Sequence, residues 1–257
     1  MPNIKQLLQR VVPSFLIYRY KEWRCYKIIK NFDIDQEPDL QIAELLVTPQ
    51  SHFIDIGANI GVYTKHLSGF VGKVVSIEPV PRTYSILESI ITRFELTNVE
   101  PKRIAISNKV GQTDIAVPNE SGTINYYRAT IETSEITGSG MTFEIQTETI
   151  DSLFLKSGEN ISLIKCDVEG HELACIEGSM KYLERYKPAW LIEISGNPDD
   201  PNSSANQLFE IMQRFEYSVW LFKNGKLKRR EIGDESINYF FLQTSHVEKI
   251  SEEASFV

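Results

Sequence analysis

Between His52 and Thr64 the chain reads HFIDIGANIGVYT, an apolar run carrying one acid that breaks into two glycines around an asparagine. A run so short, ended by glycines that a helix interior disfavours, suits a buried strand turning into the helix that follows. That helix is expected from Ile60 to Phe70, and the same order recurs along the chain. KVVSIEP leads to a helix opened by Pro81, with Tyr84, Leu87, Ile91 and Phe94 at helical spacing. ISLIKCDVEG precedes a helix predicted over residues His171 to Tyr186, with Leu173, Ile176, Met180 and Leu183 on one stripe. PAWLIEIS ends near Glu193 and is followed by a helix bearing Leu208, Ile211 and Phe215. Short apolar runs alternating with helical segments predict an α/β domain with a mainly parallel sheet.

RIAIS, TDIAVP and FEIQTETI read as further strands, and residues 119–140, rich in Ser, Thr, Gly and Asn, as a long loop. Asn224-Gly225 between two extended segments marks a hairpin. The expected organisation is a helical extension over residues 1–48, one domain over 49–245 and a frayed polar tail over 246–257.

Charge divides the chain. The net charge is −8, but residues 1–30 hold seven basic side chains against Glu22 alone, so they carry +6 and the remainder −14. The acidic bulk argues against a nucleic-acid partner. After Pro13, Phe15, Tyr18, Cys25, Tyr26, Ile29 and Phe32 would share one helix face, with basic residues around it. That face can pack on its own domain, form a dimer contact, or let residues 1–32 lie on an anionic membrane. Three cysteines without a Cys-x-x-Cys pair indicate neither a disulfide framework nor a zinc site. No apolar stretch reaches the ~18 residues a membrane span needs. The expected location is the cytoplasm, with peripheral contact at the inner face of the membrane as an option. The three Asn-x-Ser triplets read as chance matches.

In an open α/β sheet, ligands sit beyond the carboxyl ends of the strands. Asp55, Gly57, Ala58, Asn59, Gly61, Glu78, Asp167, Glu169 and Glu193 all fall at such ends or in the loops that follow. Asn59 stands where a dinucleotide fingerprint has its second glycine, and the Lys and Ser or Thr of a phosphate loop are missing, so the loop suits a nucleoside without phosphates. Glu78 is placed to accept hydrogen bonds from ribose hydroxyls, and Asp55 and Asp167 to lie under a cationic group. S-adenosylmethionine meets these demands with its ribose, ammonium and sulfonium. In structural terms Asp55 would instead be a buried strand-end acid and Glu78 a solvated loop acid.

FIDIGANIGVYT, VVSIEPVPRTYSIL, RIAIS, ETIDSL and LIKCDVEGHELACIEGSMKYL followed by PAWLIEIS resemble the FkbM family of methyltransferases, in that order, over about residues 50–243. The resemblance implies a class I methyltransferase, Rossmann-like three-layer sandwich with a seven-stranded, mostly parallel sheet whose last strand is antiparallel. It also implies that Asp55, Gly57, Asn59 and Gly61 contact the methionine and adenosyl parts of the cofactor, Glu78 the ribose, and that Ala105 is the small residue after the third strand. The acid that many class I enzymes place in that region is absent from VEPKRIAIS.

Methyl transfer to an alcohol needs in-line alignment and removal of a proton. CDVEGHE offers Asp167 to position cofactor or substrate and Glu169 or His171 to take the proton; alternatively His171 and Glu172 cap the following helix. Asp167, Glu169 and Glu193 could also bind Mg²⁺. Cys166 reads as core. Tyr126, Tyr127 and Arg128, in the long loop, are candidates with Glu193 for substrate binding. The expected reaction is O-methylation of a saccharide hydroxyl in a glycan or glycosylated metabolite. The rival readings are an N- or C-methyltransferase, a nicotinamide-dependent oxidoreductase and a non-catalytic cofactor-binding protein.

Overall fold

A computed structural model of the chain describes residues 13–120, 123–124, 129–131 and 141–253. In chain order the strands are β1 His52–Ile56, β2 Lys73–Ile77, β3 Val99–Lys102, β4 Ala105–Ile106, β5 Gly111–Val117, β6 Asn119–Glu120, β7 Thr123–Ile124, β8 Met141–Glu148, β9 Ile161–Cys166, β10 Ala189–Glu193, β11 Ser218–Lys223, β12 Lys226–Arg229 and β13 Asn238–Leu242. Eight of them form the main sheet in the order β12-β11-β13-β10-β9-β1-β2-β3. β3, β2, β1, β9 and β10 pair in parallel, while β13 runs antiparallel between β10 and β11. The expected mostly parallel sheet with an antiparallel last strand is present. Its eighth strand, β12, is the second arm of the Asn224-Gly225 hairpin, whose two turn residues have φ of 54° and 73°, as a type I′ turn requires.

Strand alternation sends side chains to two helical layers. Ile54, Val75, Ile164 and Trp190 pack towards the helices Glu172–Glu177, Met180–Tyr186 and Ser204–Arg214. Phe53, Val74, Leu163, Leu191 and Phe240 pack on the opposite side with Leu40–Leu46 and Val62–Leu67. Cys166, fully buried, belongs to the first of these cores, as its position beside Asp167 implies.

Several elements differ from the sequence reading. The third strand of the main sheet is VEPK, not RIAIS; Ala105 and Ile106 instead pair with β8 in a separate sheet of order β4-β8-β5. The loop read over 119–140 contains the small hairpin β6-β7. The helix expected from His171 to Tyr186 is two helices, Glu172–Glu177 and Met180–Tyr186, separated by Gly178 and Ser179; at this break the backbone runs so close to the residue after β4 that a Cβ at Gly178 would lie 2.1 Å from the Ser107 carbonyl oxygen. The helix Pro81–Arg93 buries Thr83, Ile86, Leu87 and Ile90, so its stripe is centred about one position earlier than the pattern from Tyr84 suggests.

Both ends of the described chain pack on the domain. In the helix Ser14–Lys30, Cys25 and Ile29 pack on Ile60, Ile86 and Ile90. The apolar face read from the sequence is thus largely engaged with the chain's own domain, although Phe15 remains exposed. Leu16, Tyr20 and Trp23 are also exposed, and the Lys27 ammonium lies 5.7 Å from the Trp23 ring centroid. No helix of the described residues is long and apolar enough to cross a membrane. The tail read as frayed begins instead with the helix Thr244–Glu253, whose Ile250 is fully buried beside the Leu40–Leu46 helix. Val247 and Ile250, three residues apart, give that polar segment an apolar edge. Replacing Ile250 by Ala is expected to lower stability by about 2–5 kcal/mol, read from the urea midpoint; a merely frayed tail would leave the midpoint unchanged.

Candidate active site

The loop after β1 folds back on β2. Gly57 and Ala58 donate their N–H groups to the Ile77 carbonyl at 2.9 and 3.0 Å, and Gly61 donates to the Ala58 carbonyl at 2.8 Å. Gly57, Asn59 and Gly61 have φ of 77°, 51° and 90°, a conformation that Gly adopts freely and Asn tolerates. The close approach that Gly57 permits is to the protein itself: a Cβ there would lie 1.7 Å from the Asp167 carbonyl oxygen, and one at Gly61 would lie 2.7 Å from Leu87. The two glycines therefore press the loop against the end of β9 and the helix Pro81–Arg93. In doing so they divide the strand ends into two cavities that share Gly57, Asn59 and Asp167.

Glu78 anchors the first cavity. It is buried; its Oε2 accepts the Asn59 N–H at 3.1 Å and its Oε1 the Val80 N–H at 2.9 Å. Burial raises its pKa to about 7, with those two N–H groups opposing the shift. Ile56, Ile77, Val80, Ile106, Ile115 and Ile131 supply apolar walls, and Ala105 and Ile115 bring in the second sheet. Glu169, exposed and with φ of 54°, lies at this cavity, as does His171. His171 holds the N-cap position of the next helix without capping it; its Nε2 lies 3.0 Å from Ser107 Oγ, and burial lowers its pKa. Glu172 braces the turn instead, accepting the N–H groups of Gly170 at 3.0 Å and Val168 at 3.3 Å.

The second cavity is lined by Glu37, Asp55, Ala58, Tyr63, Lys165, Glu193 and Asn238 in addition to the shared residues. Asp55, 1% exposed, accepts a 2.6 Å bond from the Thr64 hydroxyl, which also meets Ser76 Oγ at 2.7 Å. Burial pushes the Asp55 carboxyl up, and Lys165 and Thr64 oppose that shift. Asp55 pairs in register with Lys165, whose ammonium donates to Asp167 Oδ2 at 2.9 Å and lies 4.7 Å from the Tyr63 ring centroid. Burial works to lower the pKa of Lys165, but the charges of Asp167, Asp55 and Glu193 outweigh it and the net shift is upward. Glu193, half-buried, has its pKa raised to about 7 by burial and by Asp167. The N-terminal extension closes one side: Tyr63 donates its hydroxyl to Glu37 at 3.2 Å, and Asn238 donates its side-chain N–H to Asp39 at 2.8 Å.

Lys165, Tyr63, Glu37 and Asn238 are site residues that the sequence reading does not single out. For Lys165 a signal was available, since a cation inside an apolar strand demands a buried partner and Asp167, two residues on, shares its face. Tyr126, Tyr127 and Arg128 lie outside the described residues. Among the described residues no three His, Cys, Asp or Glu side chains are placed to share a metal ion, so Asp167, Glu169 and Glu193 form no ready Mg²⁺ site, and Lys165 already engages Asp167.

A mainly parallel sheet of this order, with one antiparallel strand inserted beside β10 and acid-bearing strand ends around a glycine loop, defines the class I methyltransferase fold. The chain belongs to the FkbM family: the methyltransferase FkbM domain matches residues 55–219, more than half of its length. Similar solved structures include a methyltransferase FkbM from Methylobacillus flagellatus, 17% identical, covering 76% of this chain and 44% of that one, with a TM-score of 0.49. A TehB-like SAM-dependent methyltransferase from Corynebacterium glutamicum is 11% identical, covering 91% and 100%, with a TM-score of 0.46. Aeropyrum pernix fibrillarin, solved with natively bound S-adenosyl-L-methionine, is 10% identical, covering 76% and 66%, with a TM-score of 0.44. The chain thus spans less than half of the Methylobacillus chain. No curated protein matches it.

Two outcomes follow from the charges. Lys165→Met leaves buried carboxylates without their cation and is expected to cost about 3–5 kcal/mol, measured by chemical denaturation. The pKa of Glu78 rises from 4.5 to about 7 on folding, so between those values the folded chain holds a proton that the unfolded chain has released. Stability therefore falls as pH rises through that window. Glu78→Gln should reduce the fall between pH 5 and pH 8.

Proposed function

We propose that this chain transfers a methyl group from S-adenosylmethionine to an oxygen, with a saccharide hydroxyl as the acceptor. The observation that carries the reading is the pair of cavities joined at Gly57, Asn59 and Asp167, one apolar around a buried acid and the other lined with carboxylates. The first suits an adenosine, with Glu78 facing the ribose hydroxyls and Ala105 leaving room for the base. The second suits a cation. Asp55 Oδ1 and Asn59 Oδ1 are buried acceptors without a hydrogen-bond partner among the described residues, and an ammonium group supplies the donors they lack.

When bound, the cofactor supplies an electrophilic methyl on a positively charged sulfur that leaves as a neutral thioether. Asp55 and Asp167 would hold the cationic end and the backbone around Gly57 would fix its direction, which is how a displacement gains most from alignment. A pyrophosphate finds no second glycine at Asn59, which disfavours a nicotinamide cofactor. The acceptor part of the reading is supported by the polar walls of the second cavity, where Glu37, Tyr63, Glu193 and Asn238 offer donors and acceptors to a hydroxyl-rich ligand.

Calorimetric titration with S-adenosylhomocysteine tests the cofactor. Binding is expected, at least about tenfold weaker in Glu78→Ala, with no heat from NAD. A preference for NAD would overturn the assignment. Mass analysis of products from an acceptor panel then separates oxygen from nitrogen and carbon methylation.

A further inference from the structure

From the second cavity we infer that Glu193 is the group facing the transferred methyl and that it takes the proton of a neutral, hydroxyl-bearing acceptor seated between Glu37, Tyr63 and Asn238. The inference rests on the methyltransferase reading above and assigns the proton acceptor within it. Three facts carry it. The pairing of Ile56 with Cys166, and of Cys166 with Ile192, places Gly57, Asp167 and Glu193 level at the mouths of adjacent strands. Each other carboxylate of the cavity already accepts a donor through one oxygen: Asp55 Oδ2 from the Thr64 hydroxyl, Asp167 Oδ2 from the Lys165 ammonium and Glu37 Oε2 from the Tyr63 hydroxyl. Among the described residues, no donor is bonded to Glu193, whose carboxylate lines the same space. Glu169 and His171 line the other cavity.

The proton balance is simple. As the acceptor oxygen bonds the methyl carbon, the carbon–sulfur bond breaks with its electron pair going to sulfur, and the hydroxyl proton passes to the Glu193 carboxylate. The groups acting on that carboxylate are Asp167, Glu169 and Glu37, which favour its protonation, and Lys165, which opposes it. Its proton affinity near neutrality suits a general base. The carboxylate-rich wall also disfavours an anionic acceptor.

The test needs no acceptor. Sinefungin carries an amine in place of the sulfur-bound methyl, whereas S-adenosylhomocysteine carries nothing there, so the ratio of their affinities reads the charge facing the methyl position. On the full chain, calorimetry should show sinefungin binding more tightly than S-adenosylhomocysteine. Glu193→Gln should weaken sinefungin by about tenfold and change S-adenosylhomocysteine by less than about twofold. Glu193→Asp, which keeps the charge but draws it back, should give an intermediate ratio, and it serves if the Gln variant fails to fold. A ratio unmoved by either change, both ligands weakening together, or a ratio that moves with Glu169→Gln instead would overturn the assignment. If the wild-type chain binds neither ligand, the methyltransferase reading itself fails, which is a distinguishable result.

Discussion

Asp55, Asp167 and Glu193 sit on three adjacent parallel strands or immediately beyond them, and a strand spacing of about 4.8 Å leaves them little room to separate. Their mutual repulsion would grow as water is excluded, and burial alone already drives Asp55 and Glu193 towards their neutral forms. Lys165 is what lets the cluster persist with charge in it. It reaches the site because parallel pairing sets it beside Asp55 and strand alternation sets it under Asp167. Tyr63, over the ammonium, covers it with a ring face that favours a cation. The sheet register, rather than any single loop, assembles the charged half of the site.

The other half depends on backbone contact. Glu78 receives N–H groups from Asn59 and Val80, so a side chain at the end of β2 holds the loop after β1 and the entry to the helix Pro81–Arg93 at once. Gly57 lets the Asp167 carbonyl close against that loop. The first cavity is consequently shaped by contacts within the protein before any ligand enters, which is the condition for preorganised binding.

Much of this was legible in the sequence, because strand-end acids and φ-positive glycines leave local signatures. Gly57, Asn59, Gly61 and Glu78 announce themselves within one strand and the turn after it, and Asn224-Gly225 announces a hairpin. What was not legible depended on distant partners. RIAIS, TDIAVP and FEIQTETI read as strands, yet only their pairing, which local pattern does not encode, places β4, β5 and β8 in a sheet of their own. The break falls at Gly178, which packs on the Ser107 carbonyl some seventy residues away in sequence, a contact no local pattern announces. Glu37 and Asn238 are unremarkable until the fold brings them to the same cavity.

The hydrogen bond from Asn238 to Asp39 joins segments 199 residues apart, and it bears on how the protein is made. β13, which carries Asn238, is the last strand in sequence yet lies between β10 and β11, both synthesised before it. The residues lining the first cavity end at His171, so on a ribosome that half is supplied well before the chamber beside it can be walled. An intermediate that has not yet received β13 therefore lacks Asn238 from the wall of the second cavity, and that side of the chamber stays open to water until the strand is inserted.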